Sequence, residues 1–82
     1  MNLGKAITVA RTFRGVSQVQ LANGIGVDPS TVSRWEKGNR PCSLQQVDNI
    51  ATDLGIPLYL LVLLADESEP DAKRIAALLM AG

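Results

Sequence analysis

The 82-residue sequence predicts an all-α fold. Apolar residues recur at helical spacing, as Leu3, Ile7 and Ala10 do near the start. No stretch shows the two-residue alternation of β-branched residues that is typical of a strand. Glycines and prolines fall between the periodic segments, where they end and begin helices. We therefore expect five helices and an extra one at the C-terminal end.

The first two predicted helices are followed by glycines. The first covers Leu3 to Phe13 and is stopped by Arg14-Gly15, because a glycine after the last turn readily adopts the left-handed conformation. The second is capped by Ser17 and runs to about Asn23-Gly24. The segment Ile25-Gly26-Val27 then makes a tight connection to the next helix.

The third helix has the clearest start. Asp28 can accept a hydrogen bond from a backbone N–H of the first turn, and Pro29 suits the first helical position. The helix is expected to run to about Lys37, before the breaker sequence GNRP.

Three further helices follow. Ser43 caps a fourth helix through Leu54, the fifth runs from Pro57 to near Asp66, and Pro70 opens a sixth that reaches about Met80. The side chains expected to face inward from the fourth helix are Leu44, Val47, Ile50, Ala51 and Leu54.

Composition places the chain among single-domain soluble proteins, with 46% hydrophobic and 20% charged residues. One cysteine, Cys42, and no histidine leave no internal disulfide and no zinc site, so we expect a reducing, cytoplasmic location. No secretion signal or membrane span is expected. Net charge is zero, but residues 1–56 carry six cationic and four anionic side chains, which favours a nucleic-acid partner for that part.

On a helical wheel, the third helix has one polar and one apolar side. Val32 and Trp35 fall on the apolar side, opposite a continuous outer arc. That arc consists of Pro29, Ser30, Ser33, Arg34 and Lys37. It fits a binding surface, and it also fits the solvated side of an ordinary amphipathic helix.

The helix that precedes it favours the interpretation of this arc as a binding surface. Two short helices joined by a glycine-containing turn form a helix-turn-helix, whose second helix enters the DNA major groove. Leu21 and Ala22 would form the shared core of the pair, Gly26 would lie in the turn, and Val32 and Trp35 would anchor the second helix.

The segment SQVQLANGIGVDPSTVSRWEKGNRPCSL resembles the phage-repressor and Cro-like helix-turn-helix family, the xenobiotic-response-element type. The resemblance covers about residues 3–64. It implies a five-helix, repressor-like DNA-binding domain, here residues 1–66 with the helix-turn-helix at about 17–37, and a phage or bacterial transcriptional regulator that binds an operator as a homodimer. Residues 67–82 would add a C-terminal helix for dimerisation.

The resemblance also implies roles for single residues. The base-reading positions fall on Pro29, Ser30, Ser33 and Arg34. Arg34 can pair with guanine O6 and N7, the two serines can donate or accept, and Pro29 has no N–H to donate. The phosphate-contacting positions are Gln18, Thr31, Lys37, Asn39 and Arg40. Lys37 and Arg40 are equally explained as ordinary surface charges.

The family pattern pairs an arginine of the first helix with a glutamate of the third. Arg11 and Glu36 occupy those positions, so the resemblance implies a partly buried ion pair. The alternative is two independent surface charges.

The C-terminal third has more apolar residues than one core face needs. We expect Leu58, Leu61, Val62 and Ala65 to face inward. The remaining apolar residues are assigned to a two-fold subunit contact: Tyr59, Leu60, Leu63, Leu64, Ile75, Leu78, Leu79 and Met80. In the alternative, the last helix only completes the core of the monomer.

Two classes of function remain. The first is a sequence-specific transcriptional regulator whose partner is double-stranded DNA. The second is an antitoxin-like protein-interaction module that binds DNA for autoregulation. No enzyme is expected, because the sequence has no histidine, one cysteine and no glycine-rich phosphate loop. No cofactor, metal, small-molecule ligand or membrane is expected as a partner.

Overall fold

The computed structural model describes residues 2–66 together with Arg74 and Leu78. Residues 2–66 form five α-helices and no strand, so the all-α class is confirmed. The helices are α1 (Leu3–Phe13), α2 (Gln18–Ile25), α3 (Pro29–Lys37), α4 (Leu44–Leu54) and α5 (Leu58–Ala65). The predicted sixth helix, residues 70–80, lies outside the described residues except for Arg74 and Leu78, which are both helical.

Side-chain caps explain why the helix starts were predictable. Ser17, Asp28 and Ser43 each accept a hydrogen bond from a backbone N–H in the first turn of the helix that follows. At α2, the Ser17 N–H donates to the Gln20 side-chain oxygen, Oε1, at 2.8 Å, and this second bond completes a capping box. The predicted end of α2 was early: the helix continues to Ile25, because Gly26, with φ of 75°, is the residue that adopts the left-handed conformation.

The core lies where α1 packs against α3, α4 and α5, with α2 packed on α3 and α4. All four anchors predicted for the helix-turn-helix are buried, namely Leu21, Ala22, Val32 and Trp35. The largest fully buried side chains are Ile7, Leu21, Val32, Ile50, Leu54 and Leu61. At the edge of this core, the Asn2 N–H donates to the Ala65 carbonyl oxygen at 2.6 Å and ties the start of α1 to the end of α5.

Two inward assignments on α4 and α5 were wrong. Leu44 is 71% exposed, because it is the first residue of α4 and lies at the rim of the core. On α5, Val62 is 41% exposed while Leu64, assigned to the subunit contact, is only 7% exposed. The buried side of α5 centres on Leu61, Leu64 and Ala65, the side that meets α1 and α4.

Leu44 and Val62, the two exposed side chains that were expected to face inward, border an open apolar groove of about 330 Å³. The groove is lined by Leu3, Cys42, Leu44, Val47, Val62 and Ala65. Leu44 and Val62 are exposed because the groove that they line is open to solvent.

Gly4 lets α1 approach the C-terminal end of α3. A Cβ atom at Gly4 would lie 2.5 Å from the Glu36 carbonyl oxygen and 2.6 Å from that of Trp35. Real Cβ atoms do not approach backbone so closely, and backbone cannot rotate away as a side chain can. Gly4 therefore fixes the spacing between α1 and α3.

We expect Gly4→Ala to lower the free energy of unfolding by about 1–3 kcal/mol, because α1 and α3 must separate to admit the methyl group. Urea denaturation monitored by circular dichroism measures this change. Lys5→Ala, at an exposed neighbouring position of α1, is the control and should leave the midpoint nearly unchanged. Equal midpoints for both variants would contradict the assigned close approach.

Candidate nucleic-acid interface

The helix-turn-helix is formed by α2, the turn of residues 26–28, and α3. The turn closes when the N–H groups of Gly26 and Val27 both donate to the Ala22 carbonyl oxygen. Val32 and Trp35 point into the core, so the opposite side of α3 faces outward. The sequence-predicted polar arc therefore lies on the surface of the protein.

The four predicted base-reading residues share this outward side. Ser30 and Arg34 are exposed, while Pro29 and Ser33 are partly buried. Arg34 forms no ion pair within the described part of the chain. Its guanidinium group is therefore available to an external acceptor.

Ser30 is engaged in a way that the sequence did not reveal. One oxygen of the Asp28 carboxylate, Oδ1, accepts the Ser30 N–H at 2.8 Å and the Ser30 hydroxyl at 2.7 Å. These bonds to Ser30, helped by the positive charge of Arg34, hold the pKa of Asp28 below its ordinary value. The carboxylate is exposed and is ionised at neutral pH.

The predicted phosphate contacts lie at both ends of the helix-turn-helix. Lys37, Asn39 and Arg40 are exposed at the end of α3 and in the loop that follows, and Thr31 is partly buried. Gln18 is the first residue of α2, and its side-chain amide donates to Glu36 Oε1 at 3.1 Å. The amide has a second N–H, so this bond still leaves Gln18 a donor for a phosphate.

Glu36 lies at the centre of a polar network that joins three helices. Arg11 donates to it twice, from Nε to Oε2 at 2.8 Å and from Nη2 to Oε1 at 3.1 Å. The Thr8 hydroxyl adds a bond to Oε1 at 2.9 Å. The side chains of Arg11 and Glu36 are only 15% and 7% exposed. The expected ion pair is therefore present, and these residues are not independent surface charges.

This network sets the ionisation of Glu36. Burial raises the pKa of its carboxyl group, but the hydrogen bonds from Arg11, Gln18 and Thr8 and the charge of Arg11 outweigh burial, so the pKa lies below its ordinary value of 4.5. A carboxyl group with a lowered pKa stabilises the fold above its ordinary pKa. That contribution is lost as the pH falls through the lowered value.

The described residues give little support to metal binding, thiol reactivity or membrane insertion. They contain no group of three or more potential metal ligands. Burial raises the pKa of the Cys42 thiol to about 11, so the unreactive protonated form prevails at neutral pH. No single described helix has the length and apolarity to cross a membrane; α4 and α5 reach them only as a pair bent by 115°.

The helix-turn-helix family model matches residues 10–61, which include all of α2, α3 and α4. The chain belongs to the Cro/C1-type helix-turn-helix family. This match confirms the family and the repressor-like fold expected from the sequence. The family consists of DNA-binding transcriptional regulators and is not enzymatic.

Curated relatives agree with this family. The chain is 38% identical over 52 residues to the cryptic phage CTXphi transcriptional repressor RstR of Vibrio cholerae. The matched segment makes up 63% of this chain and 47% of RstR. Uncharacterized HTH-type transcriptional regulators of Sinorhizobium medicae and Rhizobium meliloti are each 28% identical over 58 residues, 71% of this chain and 42% of theirs. The matched part thus spans less than half the length of these relatives.

We expect Glu36→Ala to lower the free energy of unfolding by about 3–5 kcal/mol, because Arg11 would remain largely buried without its partner. Chemical denaturation at neutral pH measures the loss. The control is Asp48→Ala, which removes an exposed carboxylate from α4 and should change stability little.

The pH dependence gives the same prediction a second readout. The stability of the unmodified protein should fall as the pH drops below about 4.5, and part of that dependence should be absent from Glu36→Ala. A melting temperature of this variant within a degree or two of the parent would contradict the role of the network.

Proposed function

We propose that this helix-turn-helix protein represses transcription in the cytoplasm by binding an operator as a homodimer, with α3 inserted in the major groove. The name of the Vibrio cholerae relative, a phage transcriptional repressor, supports the sign of regulation. The observation that carries the proposal is the outward side of α3, which holds an exposed and unpaired arginine among small polar side chains.

Charge distinguishes this surface from an ordinary solvated helix side. Arg34, Lys37 and Arg40 are all exposed, and none forms an ion pair within residues 2–66. Arg11, by contrast, is largely buried and forms an ion pair with Glu36. Cations left unpaired around one helix are suited to DNA phosphates and to the acceptor-rich edge of guanine.

In this proposal, Arg34 reads guanine and Ser33 contacts a base edge or a phosphate. Lys37, Asn39 and Arg40 contact the phosphates on one side of the groove. Gln18 contacts them on the other side, together with the start of α2. These contacts set the register of α3 on the duplex but do not by themselves select a sequence.

Exposed apolar residues support the homodimer. Tyr59 is 72% exposed on α5, and Leu78 is 71% exposed. Leu60 and Leu63 are partly buried and can contribute at the edge of a subunit contact. Leu64 cannot, because it belongs to the core of its own subunit. The remaining members of the predicted contact, Ile75, Leu79 and Met80, lie outside the described residues.

We expect Arg34→Ala to reduce discrimination at one base pair of each half-site by about 1–3 kcal/mol, because the guanine edge loses its bidentate partner. Binding to a panel of single-base operator variants measures the change. Lys37→Ala is the matched control, since loss of a phosphate contact should weaken binding to all sequences alike. Equal weakening by Arg34→Ala on specific and random DNA would contradict base reading.

The homodimer makes a prediction for salt dependence. Each subunit offers two or three cations to phosphates, so the slope of log affinity against log salt concentration should be about −4 to −5 for two subunits and about half that for one. The operator should be palindromic, with half-sites about one helical turn apart.

Removal of residues 69–82 tests the subunit contact separately from the fold. The truncated chain should retain its helical circular dichroism while its affinity for the operator falls steeply. A monomer by sedimentation at micromolar concentration, together with unchanged affinity after truncation, would contradict the homodimer. A stable complex with a second protein in place of self-association would instead favour the antitoxin-like alternative.

A further inference from the structure

The two exposed polar side chains at the start of α3, Asp28 and Ser30, offer hydrogen-bond acceptors and no free donor. Pro29 has no polar side-chain group, and the only proton of the Ser30 hydroxyl is donated to Asp28 Oδ1 at 2.7 Å. The second carboxylate oxygen of Asp28 and the lone pairs of Ser30 therefore remain available. Both residues are exposed.

An exposed acceptor at this position has few suitable partners on DNA. The phosphates are anions and repel a carboxylate, so Asp28 is not a backbone contact. In the major groove, only cytosine N4 and adenine N6 carry donor hydrogens. Guanine and thymine present acceptors there, which a carboxylate would meet with its own lone pairs.

The neighbouring atoms decide between the two amino groups. Adenine places the N7 acceptor beside its amino group, so a carboxylate that approaches adenine also meets a repulsive lone pair. Cytosine itself carries no acceptor beside its amino group in the major groove, and the only neighbouring acceptor is O6 of the paired guanine. The adenine amino group, by contrast, lies between its own N7 and thymine O4. A carboxylate fixed by two bonds to Ser30 therefore fits cytosine better than adenine.

We propose that Asp28, oriented by Ser30, is a specificity-determining residue that selects a cytosine in each operator half-site. The inference rests on the proposed insertion of α3 into the major groove and adds a base to the one that Arg34 reads. It also gives Ser30 a narrower role than the sequence allowed: its hydroxyl orients Asp28 and can only accept from DNA.

Selection of bound duplexes from a random pool, with the full chain and with Asp28→Asn, tests this role. Asparagine caps a helix as well as aspartate does, so α3 should still form, which a thermal melt verifies. The unmodified chain should enrich cytosine at one position per half-site, by about tenfold over the other bases. Asp28→Asn should lose that preference and keep the guanine assigned to Arg34.

Asp48→Asn is the charge-matched control, because it removes an exposed carboxylate from α4 and should leave the selected sequence unchanged. If Asp28→Asn changes affinity by the same factor on every sequence, Asp28 acts only through long-range charge and the inference is overturned. Enrichment of an operator in which Asp28→Asn alters no position overturns it as well. If the unmodified chain enriches no sequence, the proposed function fails, and this inference fails with it.

Discussion

The geometry of the helix-turn-helix depends on the hydrogen-bond network around the carboxylate of Glu36. This carboxylate lies on α3 and accepts hydrogen bonds from Thr8 and Arg11 on α1 and from Gln18 on α2. A nearly buried carboxylate is stable only when such donors replace water. Any shift of α1 or α2 relative to α3 would lengthen some of these bonds, so the network favours one mutual orientation of the three helices.

Packing and polar contacts act together at this point. Gly4 allows the backbone of α1 to touch the end of α3, which brings Thr8 and Arg11 within reach of Glu36. On the other side, the same carboxylate holds the Gln18 amide, which we assign to a phosphate. The residue that joins the three helices therefore also orients one of the proposed DNA contacts.

The sequence predicted those features that depend on local chemistry. Caps such as Ser17 and Asp28 mark helix starts by their own side chains, and Trp35 could only be an inward anchor on so polar a helix. The rotation of α5 was not predictable, because LYLLVLLA is apolar on every side and only contact with α1 and α4 buries Leu64 in place of Val62. The donation of the Ser30 hydroxyl proton to Asp28 and the close approach of α1 to α3 at Gly4 depend on three-dimensional geometry. Neither produces a periodic pattern in the sequence.

The backbone hydrogen bond between Asn2 and Ala65 determines how the five-helix unit can be connected to other polypeptide segments. It places the two ends of residues 2–66 side by side. A unit whose ends adjoin can be inserted into a surface loop of another protein, or closed by a short linker and reopened elsewhere, without displacing its helices. The packing of the five helices therefore does not require the start of α1 and the end of α5 to stay apart, and a short covalent link between them would leave that packing unchanged.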